Sequence, residues 1–333
     1  MRAILAGLGN FSSVWFDVCE KHPDVEIVGY VARSQKSRDR FLREHQVPGT
    51  SLYSSLSEAI GAVEADFVID VTPPAAHKEI ALTAIDASLH VLQEKPMCST
   101  MSDATEVADA GEKSGIVHMV SQNYRFGALP RTTRRLISEG RVGDPGQVTI
   151  SFYVPWADLP GTHYVKEPYM FLTDMGVHHF DMLRYVLGIE PESVRVESWN
   201  QPWGWHEGDA SHVAIFDFPQ EIKAIHVAMG CTLGHATSWN GDWRIEGSGG
   251  SLTWEDDTLY FSHEHRTEAK TRREIALDPL ASVGQSAVLD EFLAAIVEKR
   301  QPECSARDNV GTLQMAFGAV ESASTGKMIE LGG

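Results

Sequence analysis

Short apolar runs recur through the first part of the chain, separated by stretches that are apolar on one side only. The runs at 3–7, 26–32, 66–72, 89–93 and 117–121 are mostly apolar, the pattern of strands buried on both faces. The intervening stretches at 13–21, 76–87 and 102–114 repeat their apolar residues at helical spacing, with Val14, Trp15 and Val18 marking the first, and 38–45 reads as a helix polar on most faces. Strands alternating with helices at this spacing predict a parallel sheet covered on both sides.

The pattern changes near Asn123. After a helix at 129–139, the segments 147–153, 193–198, 210–218, 222–230, 242–246, 251–254 and 258–261 mostly alternate apolar and polar residues. That predicts an antiparallel sheet with one covered face. A helix at 171–187 interrupts the series, and 286–299 and 306–326 read as closing helices. The expected fold class is α/β: a parallel-sheet domain over 1–122, then an α+β domain over 123–333 with an open, mostly antiparallel sheet. No low-complexity linker separates them, so the halves are expected to pack around a shared cleft.

Composition narrows the partners. The 333 residues carry 28 Lys and Arg against 46 Asp and Glu, a net charge of −18. Such a field repels nucleic acid and anionic membrane, so neither is an expected partner. A phosphate-bearing ligand would have to be held by local geometry. Cys19, Cys98, Cys231 and Cys304 show no paired spacing and read as buried thiols, with no metal site expected. The chain enters its first strand directly at Met1-Arg2-Ala3-Ile4-Leu5 with no basic leader, which makes the cytoplasm the expected location.

Gly7-Leu8-Gly9-Asn10-Phe11-Ser12 follows the first strand and opens the first helix. Glycines there allow a tight turn and close approach of a pyrophosphate to helix-end N–H groups. Ser12 stands where a third glycine is usual and is small enough for helix and strand to pack. At the end of the second strand an acid would accept the ribose diol of NAD. The run Arg33-Ser34-Gln35-Lys36 has none. Arg33, Ser34 and Lys36 could bond a 2′-phosphate instead, so NADP is expected in preference to NAD.

Asp174 and His178 stand four residues apart, which on one helix gives them a common face. Gly176 between them would let a substrate or nicotinamide approach. An aligned acid and imidazole suit proton transfer near neutral pH, although a dipole-stabilising acid beside a core histidine has the same pattern. His179 turns away and is expected to pack. Lys95 in Val91-Leu92-Gln93-Glu94-Lys95-Pro96 sits where a strand ends, extended by the following proline, and strand ends are where such sheets bind ligands. Glu94 could fix or tune it.

With these motifs in order, the chain resembles the Gfo/Idh/MocA family, named for glucose–fructose oxidoreductase and inositol dehydrogenase. The resemblance rests on Gly7-Leu8-Gly9, Thr72-Pro73-Pro74 with His77, Glu94-Lys95-Pro96, Asn123-Tyr124-Arg125-Phe126, Asp174 to Asp181, Glu246-Gly247-Ser248-Gly249-Gly250 and Ser322 to Gly326. It implies a Rossmann domain and a second domain whose sheet often forms a dimer or tetramer interface. It implies that Lys95, Asp174 and His178 match the catalytic positions. With it, cofactor contacts are expected at Gly7, Gly9, Asn10, Phe11, Ser12, Arg33, Ser34, Lys36, Thr72, Pro73, His77, Glu94, Lys95 and Asn123. Substrate contacts are expected at Lys95, Tyr124, Trp156, His163, Tyr169, Asp174 and His178. Two departures stand out. The glycine pair usual before the aspartate is replaced by Glu167-Pro168-Tyr169-Met170-Phe171, and the acid after the second strand is missing.

The expected activity is hydride transfer between NADP or NAD and a hydroxyl of a sugar, polyol or cyclitol. His178 would take the proton, Lys95 would stabilise charge on the oxygen and Asp174 would orient both. Aromatic rings on loops and strand ends, Trp156, Tyr164, Tyr169, Trp203, Trp205 and Trp239, could stack on a sugar face. Arg125 reads as structural. Two rivals share much of the same machinery: a glycoside hydrolase working by transient oxidation and elimination, and a cofactor-sensing regulator without catalysis.

Overall fold

A computed structural model describes residues 1–156, 166–263 and 271–332. The chain divides into two compact units, Met1–Asn123 with Ser282–Val310, and Tyr124–Ala281 with Gly311–Gly333.

The first unit runs β1 (Arg2–Ala6), α1 (Ser12–Lys21), β2 (Glu26–Val31), α2 (Gln35–His45), β3 (Leu52–Tyr53), α3 (Leu56–Ala62), β4 (Phe67–Asp70), α4 (Pro74–Asp86), β5 (His90–Gln93), α5 (Met101–Ser114) and β6 (His118–Val120). The strands pair in parallel in the order β3-β2-β1-β4-β5-β6. All of β4 and β6, and β1 after Arg2, are buried, as a sheet covered on both faces requires. Chain order reverses between β1 and β4, the switch point beside which such sheets bind ligands. The sequence reading left 46–65 without structure. The pieces there are short: β3 has two residues, and α3 has seven, started by the Ser55 hydroxyl accepting from the Glu58 N–H. Neither is long enough to carry a readable period.

In the second unit lie α6 (Ala128–Ser138), β7 (Pro145–Tyr153), α7 (Met170–Thr173), α8 (Gly176–Leu187), β8 (Ser193–Trp199), β9 (Ser211–Asp217), β10 (Lys223–Met229), β11 (Asp242–Gly247), β12 (Gly250–Glu255), β13 (Thr258–His263) and β14 (Thr271–Glu274). The chain closes through α9 (Gly284–Glu298), α10 (Ala306–Thr325) and β15 (Ile329–Glu330). Among the described residues the second sheet has nine strands, ordered β14-β13-β12-β11-β7-β10-β9-β8-β15. Among the described residues of this sheet, β7 and β10 are the one parallel pair. Burial alternates along β7, β9 and β10, and the covered face packs Phe216 and His226 against Phe180 of α8.

Two expectations change. Residues 171–187 form two helices, because α7 ends after one turn at Asp174 and α8 starts after Met175. Residues Ser282–Val310 fall in the first unit and not with 123–281. There Phe292 of α9 is fully buried with its ring 5.3 Å from that of Phe67 in β4, so the apolar face of α9 is spent on the parallel sheet.

Candidate active site

The glycine loop of the first unit separates fold from ligand in its two glycines. Gly7 has φ +99°, and a Cβ there would come within 2.5 Å of the Val71 carbonyl carbon. Only glycine lets β1 pass so close to the end of β4. Gly9 is exposed, and a Cβ there would meet no protein atom within 4 Å. The freedom at Gly9 leaves space in front of the loop. Ser12 is fully buried and donates its hydroxyl to the Gly9 carbonyl at 2.6 Å, so it braces the turn. The N-terminus of α1 has no side-chain cap and no acid in its first turn, and the ring of Phe11 before it is 45% exposed. Uncapped N–H groups facing open space suit an anion such as a pyrophosphate. Asn10 is exposed and accepts from Arg40, which also donates to the Leu8 carbonyl at 2.6 Å. Arg40 thus brings a cation from α2 to this loop.

Beyond β2, Arg33, Ser34 and Lys36 are exposed. Ser34 is the cap of α2 and accepts from the Ser37 N–H. Its lone pair is thus engaged, while its proton remains free to be donated to a ligand.

The ends of β4 and β5 are knitted by a polar network. Asp70 is fully buried and accepts from the Thr72 N–H at 3.0 Å, the Thr72 hydroxyl at 2.6 Å and the Gln93 amide at 3.1 Å. His77 is fully buried, with its ring nitrogens 2.9 Å from the Pro96 carbonyl and 2.7 Å from the Thr72 carbonyl. The expected cofactor contact at His77 therefore becomes support from behind, holding the loops that carry Thr72, Pro73 and Lys95. Glu94 accepts from the Trp15 indole at 2.9 Å and the Lys95 N–H at 3.0 Å. Burial raises its carboxyl pKa above the ordinary value. Lys95 is half-buried directly after this anchor, Pro73 is exposed, and Thr72 and Asn123 are half-buried.

In the second unit three expected residues come together. His178, in the first turn of α8, is 5% exposed and stacks on Tyr124 with ring centroids 4.2 Å apart and planes 12° from parallel. Burial, and then the negative charge of Asp174, push the Tyr124 phenol up to about 12. Asp174 is half-buried at the end of α7. Gly176 does not open the site. A Cβ there would lie 2.8 Å from the Phe171 carbonyl oxygen and 3.0 Å from the Phe180 ring, so glycine is needed for packing within the two helices. Tyr169 is half-buried and left-handed, φ 55°, just before α7. Trp156 sits edge-on to Phe171 and Trp239, with centroids 5.6 and 5.8 Å away. His163 lies outside the described residues.

Neighbouring residues hold this geometry. Asp181 and Arg125 form a bidentate pair, 1% and 4% exposed. His179 is fully buried against His226 and the Trp239 carbonyl. Sequence reasoning missed Arg40, Asp70 and Gln93, because the Arg40–Leu8 and Asp70–Gln93 bonds join residues distant along the chain and leave no local signal. The four cysteines are buried and form no disulfide, and burial raises the Cys19 and Cys98 thiols to about 12. Among the described residues no group of His, Cys, Asp and Glu could hold a metal, and no helix is long and apolar enough to cross a membrane.

Two family models match the chain. An oxidoreductase family with an NAD-binding Rossmann fold covers residues 1–122, and the Gfo/Idh/MocA C-terminal domain covers 131–253. The chain belongs to the Gfo/Idh/MocA oxidoreductase family. It is 27% identical over 335 residues to 1,5-anhydro-D-fructose reductase of Ensifer adhaerens, covering 98% of this chain and 97% of that one. The same fold is seen in aldose-aldose oxidoreductase of Caulobacter crescentus, with a TM-score of 0.85, 19% identity and 99% of both chains covered. Levoglucosan dehydrogenase, solved with NADH and levoglucosan, gives a TM-score of 0.82 at 19% identity over the full length of both chains. The family assignment makes the chain a nicotinamide-dependent oxidoreductase.

Proposed function

We propose that this protein transfers a hydride between NADP, in preference to NAD, and a secondary or anomeric hydroxyl of a sugar, polyol or cyclitol. The observation that carries the reading is the imidazole of His178, held flat on Tyr124 with Asp174 close enough to act on the phenol. Sugar-acting relatives support the substrate class: reductases and dehydrogenases of anhydrofructose, apiose and levoglucosan.

A nicotinamide held at the glycine loop would supply hydride acceptance in oxidation and hydride donation in reduction. His178 accepts the hydroxyl proton at a ring nitrogen as the carbonyl forms. The Lys95 ammonium hydrogen-bonds that oxygen and offsets its growing negative charge. Asp174 orients the cationic partners. Tyr124 keeps its proton and holds the imidazole by stacking. Gly9, the N–H groups of α1 and Arg40 suit the pyrophosphate. Arg33, Ser34 and Lys36, with no acid among them, suit a 2′-phosphate. The half-exposed outer face of β9 and β10, with Ile215 38% exposed, suits pairing of copies into a dimer or tetramer.

Cofactor reduction measured against a panel of sugars, polyols and inositols, with each nucleotide, tests this reading. A positioned proton acceptor contributes roughly 10²–10⁴-fold. His178→Ala and Lys95→Ala should lower kcat by about that factor while nucleotide affinity persists. Near-normal turnover in both variants, or a lower Kd for NADH than for NADPH, would remove the corresponding part of the proposal.

A further inference from the structure

Five of the chain's eight tryptophans gather at one end of the second unit's sheet. The pairing rung Tyr153–Met229–Ser211–Trp199 marks that end. Trp156 follows β7, Trp203 and Trp205 lie between β8 and β9, and Trp239 precedes β11. The other three, Trp15, Trp243 and Trp254, are at most 2% exposed, whereas Trp199, Trp203 and Trp239 are 39%, 54% and 48% exposed.

These rings are held in place. The Trp203 indole donates to the Cys231 carbonyl at 3.1 Å. Trp239 meets Trp156 edge to face, and its loop is tied by Ser238 and Asn240, which both donate to Asp257 at 2.7 and 2.8 Å. Fixed aromatic faces left in solvent suit a ligand with an apolar face of its own.

A second observation is independent of the rings. His206, 6% exposed, stacks on Trp205 with both ring nitrogens unpartnered, and the Trp205 indole N–H is buried and unpartnered as well. Each such group carries a desolvation cost until something bonds it. Glu207, Asp209 and Asp257 add carboxylates at the same end. Hydroxyl groups satisfy such donors and acceptors, whereas a second copy of this chain would bring the same carboxylates against them.

The aromatic end adjoins the helix that carries Asp174. Phe171 of α7 touches both Trp156 and His206. Its ring occupies the place that a Cβ on Gly230 would fill, 2.0 Å away.

We propose that this end is a subsite for a second pyranose ring, so that the substrate is a glycoside and not a free monosaccharide. The proposal rests on the sugar oxidoreductase reading above and deepens it. One ring is served by His178 and Asp174, and its glycosidic neighbour stacks on the exposed indoles while its hydroxyls bond His206 and Trp205.

The test compares kcat/KM for glucose with that for maltose, cellobiose and trehalose, in the wild-type enzyme and in Trp203→Ala and Trp239→Ala. At least one disaccharide should exceed glucose by about tenfold, and both substitutions should bring that ratio towards one. Glucose oxidised as well as every disaccharide, or a ratio untouched by both substitutions, overturns the subsite and leaves the oxidoreductase reading standing. If no sugar is oxidised with either nucleotide, that reading fails, and tryptophan fluorescence titration then decides the subsite. Tighter binding of a disaccharide than of glucose, lost in Trp203→Ala, supports it, and equal or absent binding overturns it. A fall in oligomer mass in Trp203→Ala, read by light scattering, would assign the surface to subunit contact and overturn it as well.

Discussion

His178 lies flat on Tyr124, with ring centroids 4.2 Å apart and planes 12° from parallel. The stack fixes the plane of the imidazole, and burial together with Asp174 keeps the phenol protonated. Positioning and the hydroxyl can therefore be separated. Tyr124→Phe keeps the stack and should change kcat by less than about fivefold. Tyr124→Ala frees the imidazole, and misplacement of a reacting group costs about 10²-fold. Steady-state kinetics at saturating sugar and nucleotide check the contrast, and equal losses in the two variants would contradict a stacking role.

Gly7 and Gly9 should fail in different ways. A Cβ at Gly7 would strike backbone at 2.5 Å, at a φ of +99°, so Gly7→Ala should lose at least about 2 kcal/mol of stability. A Cβ at Gly9 has open space around it. Gly9→Val should melt close to the wild-type temperature yet bind nucleotide at least about tenfold more weakly. Thermal melts paired with nucleotide titration separate the two. A stable Gly9→Val with unchanged affinity would mean that the loop does not face the cofactor.

The Arg125–Asp181 pair shows how much stability sits beside the candidate site. Both side chains are almost fully buried, and Thr312 adds a third contact to Asp181 at 3.2 Å. Removing one partner strands a buried charge, which costs about 3–5 kcal/mol. Asp181→Ala should therefore shift the denaturant midpoint far more than Arg135→Ala, whose ion pairs with Glu139 and Asp278 are partly exposed. Similar midpoints for the two variants would contradict this ranking.

The sequence made the sheets legible where apolar period and length were sufficient. β1 and β4 read as buried runs, and β7, β9 and β10 read by alternation. The four-residue spacing of Asp174 and His178 was visible, but the break between α7 and α8 was not. Gly176 stands at that break, where the Phe171 carbonyl and the Phe180 ring fill the space a Cβ would take. Gly176 was misread, since a missing side chain looks alike in sequence whether ligand or protein fills its space. The capping role of Ser34 was not read, because the helix was expected only from residue 38 whereas α2 begins at Gln35. By contrast, Asp70 with Gln93, and Arg40 with Leu8, are joined across strands and loops, where spacing along the chain carries no signal.

The covered face of the second sheet holds a chain of three histidines. The Trp239 carbonyl can only accept, so His179 donates to it from Nε2. His179 Nδ1 then accepts from His226 Nε2 at 2.9 Å, and His226 Nδ1 accepts from His212 Nε2 at 2.8 Å. Burial is the first cause of depression in all three, holding His179 near 4, His212 near 3 and His226 well below its ordinary value. In the unfolded chain these rings titrate near about 6.5. Below that pH the unfolded state binds more protons, so stability is full above about 6.5 and falls as the pH drops towards the folded values of 3 to 4. Each depressed ring contributes a slope of about 1.4 kcal/mol per pH unit inside that window. Urea midpoints should therefore fall steadily between pH 6.5 and 5, and His212→Gln should flatten the slope by about one ring's share. Nitrogen NMR of the three imidazoles should show neutral Nε2–H tautomers through that range. Protonation of these rings near pH 6.5 in the folded protein would break the chain as drawn and remove the pH dependence assigned to it.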